Sequence, residues 1–183
     1  MLHDHNLSIE ISMYSFQNLS LFLTILFSGL VAGLLYSYSC SVNPGLKALT
    51  NKEYLSAMQS INRSIQNPLF FLSFMGLLLL LPLCCWFAWM QQVNISFTLV
   101  LTAALIYFIG VFAVTVFGNV PLNNELENFN IINATEAGMA DMRSKFESQW
   151  VKWHSVRTIA SVVSFGLLVY GLIKNLPVRL LLK

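Results

Sequence analysis

The residues best suited to chemistry lie in one short stretch of the chain, between positions 150 and 157. On an α-helix, spacings of four and three place Trp150, His154 and Arg157 on one face, and Trp153 is four residues from Arg157. This face offers aromatic walls, one titratable base and one permanent cation, which makes it a candidate functional site. The same residue types also anchor helices at a membrane surface, so anchoring remains an alternative interpretation.

A second polar cluster surrounds Pro121 and contains Asn119, Asn123 and Asn124. These residues are candidates for function, or they can simply cap a helix that follows the proline. Further polar residues of an earlier segment could approach both clusters, namely Asn62, Arg63 and Asn67. Polar groups at a membrane boundary are costly and are candidates for function, which is why these clusters matter here.

The elements that must position these residues are membrane helices. The chain has 183 residues, of which 56% are hydrophobic and 10% charged, against about 25% charged in soluble domains. Four segments are long enough to cross a bilayer core, at about 19–39, 69–90, 97–117 and 156–173. The sequence therefore predicts an all-α, integral membrane four-helix bundle. It forms one domain over 18–174, between an N-terminal tail (1–17) and a C-terminal tail (175–183).

Two long connections, at about 40–68 and 118–155, are expected to lie together on the side of the bilayer opposite the termini. In the first, residues 43–45 predict a turn, and Thr50 with Glu53 forms a capping box. An apolar stripe then predicts an amphipathic helix that ends, or kinks into the second span, at Asn67-Pro68. The stripe consists of Tyr54, Met58, Ile61 and Ile65.

The second connection begins with residues 118–124, which predict a sharp stop after the third span, followed by a short helix. A longer amphipathic helix is expected from about Thr135, and it either runs straight into the fourth span or kinks near His154. Its apolar stripe consists of Met139, Met142, Phe146, Trp150 and Trp153.

Charge and small residues suggest an orientation and partners. Seven basic residues fall on the side of the long connections and three on the side of the termini, which predicts that the long connections are cytoplasmic. The lipid bilayer is the expected partner, and no clustered basic face predicts nucleic-acid binding. Gly29 and Gly33 form a small-residue face, which serves packing within the bundle or a homodimer.

The sequence predicts neither a metal site nor a cofactor. The histidines are His3, His5 and His154, and the cysteines Cys40, Cys84 and Cys85 form no C-x-x-C pair. The spans thus supply at most one histidine, whereas a membrane haem usually needs two from facing helices.

Over about residues 25–173 the sequence resembles the anthrone oxygenase-like family of four-span membrane proteins. The resemblance rests on four motifs taken in order. They are a glycine-rich first span leading to Asn43-Pro44, Tyr54-x-x-x-Met58-Gln59-x-Ile61-Asn62 followed by Asn67-Pro68, Asn119-Val120-Pro121-Leu122-Asn123, and Trp150-x-x-Trp153-His154-x-x-Arg157-Thr158.

Characterised fungal members of that family oxidise anthrones to anthraquinones with molecular oxygen and without an evident metal or flavin. The resemblance implies an oxidoreductase of an anthrone-like or phenolic small aromatic lipophile, with His154 as the base. Arg157, Asn119 and Asn123 would stabilise the oxyanion. The binding residues would be Trp150, Trp153, Asn62, Asn67 and Met58. The alternative is a non-enzymatic membrane subunit, or a lipid-binding or scaffold protein.

Overall fold

A computed structural model describes the backbone of residues 2–175 and the side chains of residue 13 and residues 15–175. This part of the chain folds into seven α-helices joined in places by π-helical turns. The helices are α1 (Leu2–Ser37), α2 (Asn43–Lys47), α3 (Asn51–Ser64), α4 (Pro68–Trp89), α5 (Phe97–Ile106), α6 (Val120–Glu127) and α7 (Glu136–Lys174). The π-helical segments are Tyr38–Val42, Tyr107–Ala113 and Thr115–Asn119.

Four continuous helical stretches are long and apolar enough to cross a membrane, and each overlaps one of the predicted spans. They are Ser15–Lys47, Pro68–Trp89, Phe97–Glu127 and Glu136–Lys174. Helix α1 packs on α4 and α7, and α5 also packs on both, so the four stretches enclose one apolar core. That core is referred to below as the bundle. Its fully buried side chains include Leu77, Leu81, Val100, Val111 and Leu168.

Small residues allow close helix packing inside the bundle. A Cβ atom added at Gly110 would lie 2.6 Å from the Cβ of Ala160, so only glycine permits this approach between the third and fourth spans. Gly29 faces the ring of Phe165, whereas Gly33 has no neighbour within 4 Å. Gly29 therefore serves packing within the chain, and a homodimer through Gly33 remains a prediction.

Helix α1 extends beyond the predicted first span in the N-terminal direction. It begins at Leu2 and so covers most of residues 1–17, which the sequence assigned to a tail. The chain has no proline before Pro44 and no glycine before Gly29, and without a breaker an established helix propagates at little cost. Of the predicted C-terminal tail, residues 176–183 lie outside the described residues.

The structure corrects the turn expected at residues 43–45 and the sharp stop expected at residues 118–124. Both stretches remain helical. A proline lacks an N–H group, and its ring clashes with the carbonyl four residues earlier. Here the backbone widens just before each proline instead of ending, since Asn43 N–H bonds to Tyr38 O and Val120 N–H bonds to Thr115 O, five residues earlier in each case.

A second apolar core lies on the side of the long connections, between α2, α3, α6 and the first half of α7. This part is referred to below as the cap, and its buried residues include Leu55, Met58, Leu126, Met142 and Phe146. The predicted capping box begins α3. The Thr50 backbone N–H donates to Glu53 Oε2 over 3.0 Å, and the Thr50 hydroxyl accepts from Glu53 N–H. The Thr50 hydroxyl also donates to Glu53 Oε2 over 2.7 Å, and this bond first, with that from the Thr50 backbone N–H, lowers the pKa of Glu53.

Helix α7 joins the two cores. Its 39 residues run from Glu136 to Lys174 without a break, a length of about 58 Å, so the predicted amphipathic helix continues straight into the fourth span. Arg143 ties α7 to the first connection, because its guanidinium donates to Leu49 O over 2.7 Å and to Lys47 O over 2.9 Å. The cap is thereby held in place above the bundle.

Candidate active site

His154 lies where the bundle meets the cap, and only 1% of its surface is exposed. Its ring is stacked on the indole of Trp150, with centroids 5.0 Å apart and planes 7° from parallel. The ring of Tyr38 lies 5.3 Å from the imidazole, tilted by 57°. Helix α7 supplies Trp150 and His154 one turn apart, and the π-helical turn after α1 supplies Tyr38. The imidazole is therefore held among aromatic rings at the membrane boundary.

The hydrogen bonds of His154 define its tautomer. Arg157 approaches Nδ1 with Nε at 3.3 Å and Nη2 at 3.1 Å. A guanidinium can only donate, so Nδ1 accepts, and a neutral imidazole carries its hydrogen on Nε2. Nε2 faces the hydroxyl oxygens of Ser39 at 3.0 Å and Thr158 at 3.3 Å. Arg157 therefore covers the lone pair that a general base would use.

Arg157 is partly buried and is not neutralised by an acid of the described part of the chain. Its other neighbours are the Thr115 hydroxyl, 3.5 Å from Nη1, and the Trp150 ring, whose centroid is 5.3 Å from Cζ. The salt bridges formed by the described residues join other cations to acids, and they are Arg63–Glu127, Arg143–Glu147 and Lys145–Asp141. A cation in such a setting strongly favours a nearby negative charge.

Asn119 and Asn123 both bond to Trp150. Asn119 is completely buried, and its Nδ2 donates to Trp150 O over 3.2 Å, whereas its Oδ1 has no partner. Asn123 Oδ1 accepts a hydrogen bond of 2.8 Å from the indole Nε1 of Trp150. Asn123 thus holds the indole that stacks on His154, whereas Asn119 holds the backbone of the same residue, and the described hydrogen bonds of the two asparagines do not reach the imidazole.

Three of the four remaining predicted residues lie in different places, and the fourth, Asn62, lines a polar cleft described below. Met58 is fully buried, and its sulfur accepts from the Tyr38 hydroxyl over 3.5 Å. Asn67 caps α4, since its Oδ1 accepts from Phe70 N–H and its Nδ2 donates to Ser64 O. Trp153 packs its ring against Gly118 and is 36% exposed. Asn67 and Trp153 therefore make contacts away from the imidazole, and Trp153 does not extend the buried stripe of α7.

Four residues that sequence reasoning did not select contact the central pair, namely Tyr38, Ser39, Thr115 and Thr158. Thr158 follows His154 by four residues, so helical spacing could have identified it. Tyr38, Ser39 and Thr115 belong to π-helical turns, a feature that often marks functional sites. Their proximity to His154 depends on how the helices pack, which helical spacing within one segment does not indicate.

Two openings lie on the surface of the described structure, one in the cap and one on the bundle. A polar cleft of about 200 Å³ opens in the cap, lined by Asn62, Arg63, Gln66, Asn123, Asn124 and Glu127. A larger apolar groove of about 440 Å³ lies toward the α4–α5 turn, lined by residues that include Pro82, Trp86, Trp89, Leu101 and Phe108. Only the polar cleft shares a residue, Asn123, with the surroundings of Trp150.

The fold and the site define a class, a multi-pass four-helix membrane protein with a buried histidine–arginine pair at one membrane boundary. A family model described as anthrone oxygenase matches residues 70–167, which are 98 of the 183 residues. The chain belongs to this family. The match covers α4 to α6 and most of α7, including Asn119, Trp150, His154 and Arg157. No curated protein and no solved structure matches the chain significantly.

Proposed function

We propose that this protein is a membrane oxygenase that oxidises an anthrone-like or phenolic lipophile with molecular oxygen and without a cofactor. The observation that carries the proposal is the His154–Arg157 pair, a buried imidazole bonded to a guanidinium that has no acid partner among the described residues. Family membership supports the substrate class. The aromatic rings around the imidazole suit a flat aromatic substrate.

The reaction needs a base and a site for negative charge. An anthrone has an acidic methylene group, and loss of one proton gives an electron-rich enolate. The enolate carbon reduces dioxygen and forms a C–O bond, which gives a hydroperoxide after protonation. Loss of the second methylene proton with cleavage of the O–O bond then gives the quinone and one molecule of water. The protein supplies proton transfer, charge stabilisation and exclusion of bulk water.

In this proposal the substrate itself exposes the base. Without substrate, Arg157 covers the Nδ1 lone pair of His154. When the developing oxyanion draws the guanidinium toward itself, Nδ1 becomes free to accept the methylene proton. Ser39 and Thr158 hold the Nε2 hydrogen and so keep the required tautomer. Asn119 and Asn123 are positioning residues that act through Trp150, which with Tyr38 forms the walls around the reacting ring.

The test is oxygen uptake by the purified protein in detergent with anthrone, measured above spontaneous oxidation in a sample with heat-inactivated protein. His154→Gln and Arg157→Gln are each expected to lower the rate at least about 100-fold, the first by loss of the general base and the second by loss of an oxyanion donor. Lys152→Gln removes an exposed cation from the same helix and should leave the rate unchanged. Prior dialysis against a chelator should also leave it unchanged.

The product gives a second measurement, since one anthraquinone should form per dioxygen consumed without accumulation of hydrogen peroxide. Wild-type rates in both His154→Gln and Arg157→Gln would refute the proposed roles. No uptake above background by the wild-type protein, with this or any phenolic substrate tried, would refute the enzymatic function.

A non-enzymatic function is favoured by one observation, the apolar groove of about 440 Å³ between α4 and α5. This groove is more than twice the volume of the polar cleft and fits a lipid chain. A lipid-binding or scaffold protein would co-purify with a stoichiometric lipid or protein partner and would show no oxygen uptake. The presence of uptake that depends on His154 decides against it.

The excess of basic residues on the long connections supports a cytoplasmic cap. Ile132 is 90% exposed at the tip of the cap, and Ile132→Cys therefore reports orientation in a chain whose native cysteines are replaced by alanine. A membrane-impermeant maleimide should label this cysteine only after the cells are opened. Labelling of intact cells would place the cap outside.

A further inference from the structure

The polar cleft in the cap contains a buried donor that lacks a partner. Asn62 is only 7% exposed, and its Nδ2 makes no hydrogen bond within the described part of the chain. An amide group that is taken out of water without a partner destabilises the fold, and such groups in native proteins usually have a functional or solvent-related reason. Asn62 is one of the residues that line the cleft, so a group bound there is the candidate partner for this donor.

The lining of the cleft indicates what kind of group it accepts. Four of the six lining side chains are carboxamides, which both donate and accept, and they are Asn62, Gln66, Asn123 and Asn124. The other two, Arg63 and Glu127, form a salt bridge of 2.8 Å with each other. Because this pair neutralises itself, the cleft offers hydrogen bonds without a net charge. It therefore suits a neutral hydroxyl group better than a carboxylate or an ammonium group.

Asn123 connects the cleft to the candidate active site. It lines the cleft, and its Oδ1 accepts from Trp150 Nε1 over 2.8 Å. The same indole stacks on His154 with a centroid distance of 5.0 Å. A ligand in the cleft is thus separated from the imidazole by one indole ring, and it contacts the residue that holds this ring in place.

We infer that the polar cleft is a binding subsite for the hydroxyl group of a neutral aromatic ligand, with Asn62 Nδ2 donating to the ligand oxygen. Binding there is transmitted to the imidazole through Asn123 and Trp150. The inference rests on the proposed function in one respect, because it takes this ligand to be the hydroxyl-bearing end of the oxygenase substrate. Binding itself can be measured without turnover.

The probe is resorcinol, a water-soluble neutral molecule with two phenolic hydroxyls, titrated into the full-length protein in detergent. The readout is the NMR signal of the Trp150 indole N–H, assigned by its absence in Trp150→Phe. Resorcinol is expected to shift this signal in a saturable manner, and sodium benzoate to bind at least about tenfold more weakly. Equal binding of benzoate would show that the cleft does not distinguish a neutral hydroxyl from a carboxylate, and it would overturn the inference.

Asn62→Leu tests the buried donor. Loss of one hydrogen bond should weaken resorcinol binding by about tenfold, and the melting temperature should rise, because an apolar side chain replaces an unpartnered amide. A purely structural asparagine would instead lower the melting temperature and leave affinity unchanged. The control is Asn133→Leu on the exposed loop of the same cap, which should not change resorcinol affinity. If Asn62→Leu does not fold, Asn62→Ser removes the same donor with less added volume.

Oxygen uptake measured in parallel separates this inference from the proposed function. If resorcinol binding depends on Asn62 but no sample oxidises anthrone, the subsite stands and the oxygenase function falls. If His154→Gln abolishes uptake while Asn62→Leu binds resorcinol like the wild-type protein, the oxygenase stands and the subsite falls.

Discussion

The interior of the bundle and its junction with the cap differ in whether their buried polar groups have partners. In the bundle, buried hydroxyls bond to backbone carbonyls, with Thr24 donating to Ser20 O over 2.7 Å and Tyr107 to Phe74 O over 2.8 Å. In and beside the junction, Arg157 has no acid partner, and Asn119 Oδ1 and Asn62 Nδ2 have no hydrogen-bond partner within the described chain.

This difference separates packing from function. A hydroxyl that bonds to its own or a neighbouring helix costs little in lipid and adds contacts between helices. An unpartnered amide or an unneutralised cation has no such structural benefit, and such groups concentrate where ligands bind. The junction is therefore the region where a ligand would complete the hydrogen bonding, while the buried side-chain polar atoms of the bundle have partners among the described residues.

The largest expected effect comes from Trp150, which joins the two regions. Trp150→Ala removes a buried indole from the cap core and from the imidazole, and it should lower the free energy of unfolding by about 3–5 kcal/mol. Trp150→Phe keeps most of the packing and loses the bond to Asn123, so it should cost less stability but still lower oxygen uptake. Thermal unfolding followed by circular dichroism, together with oxygen uptake, checks both. Equal stability of the two variants would show that the indole is not part of a packed core.

A smaller loss of stability is expected from a substitution at Gly110, inside the bundle. Gly110→Ala places a Cβ 2.6 Å from that of Ala160, so helices must move apart, at a cost of about 1–3 kcal/mol. Gly33→Ala is the matched control, because Gly33 has no neighbour within 4 Å. Its melting temperature should not fall. A similar loss in both variants would mean that Gly33 is covered in the membrane, as a homodimer through this face predicts.

Substitution of Ser164 tests the comparison through the sign of the change in the free energy of unfolding. Its hydroxyl donates to Ala103 O over 2.9 Å between the third and fourth spans. Ser164→Ala removes this satisfied bond and should lower the free energy of unfolding by about 1 kcal/mol, whereas Asn62→Leu beside the junction should raise it. The two melting temperatures relative to wild type are the measurement. Shifts of the same sign would remove the distinction between satisfied and unsatisfied polar groups.

The smallest effect is expected on the outer surface of the cap. Lys145 pairs with Asp141 over 2.7 Å, but both side chains are 64% exposed. Lys145→Gln should therefore change neither oxygen uptake nor, beyond about 0.5 kcal/mol, the free energy of unfolding. A larger change would indicate that this face of the cap contacts the membrane or a partner.

Sequence periodicity predicted the elements well where one helix carries the whole pattern. The four spans, the Thr50–Glu53 capping box and the shared face of Trp150, His154 and Arg157 all depend on local spacing, and the structure confirms them. The predictions of a turn at Pro44 and of a helix end at Pro121 were wrong. They were made because proline commonly ends helices in water-soluble proteins. Here the backbone widens and continues, since an interrupted helix at a membrane boundary would leave more amide groups unpaired.

The partners of His154 could not be predicted in the same way. Ser39 is 115 residues away from His154 along the chain, and only the packing of α1 on α7 brings them together. Asn67 was selected because it is polar and near a span, yet its amide caps α4. Residue type alone does not distinguish a capping asparagine from a binding one, and the direction of its hydrogen bonds does.

The unbroken length of α7 links the surrounding bilayer to the geometry around His154. One unbroken helix of about 58 Å carries Trp150, His154 and Arg157, whereas Ser39 and Tyr38 follow the first span. Helices adjust their tilt to the thickness of the surrounding bilayer. A thicker or thinner membrane would change the tilt of α7 relative to α1. It would thereby change the 3.0 Å separation between Ser39 Oγ and His154 Nε2. Lipid composition then becomes a direct influence on the geometry around the imidazole.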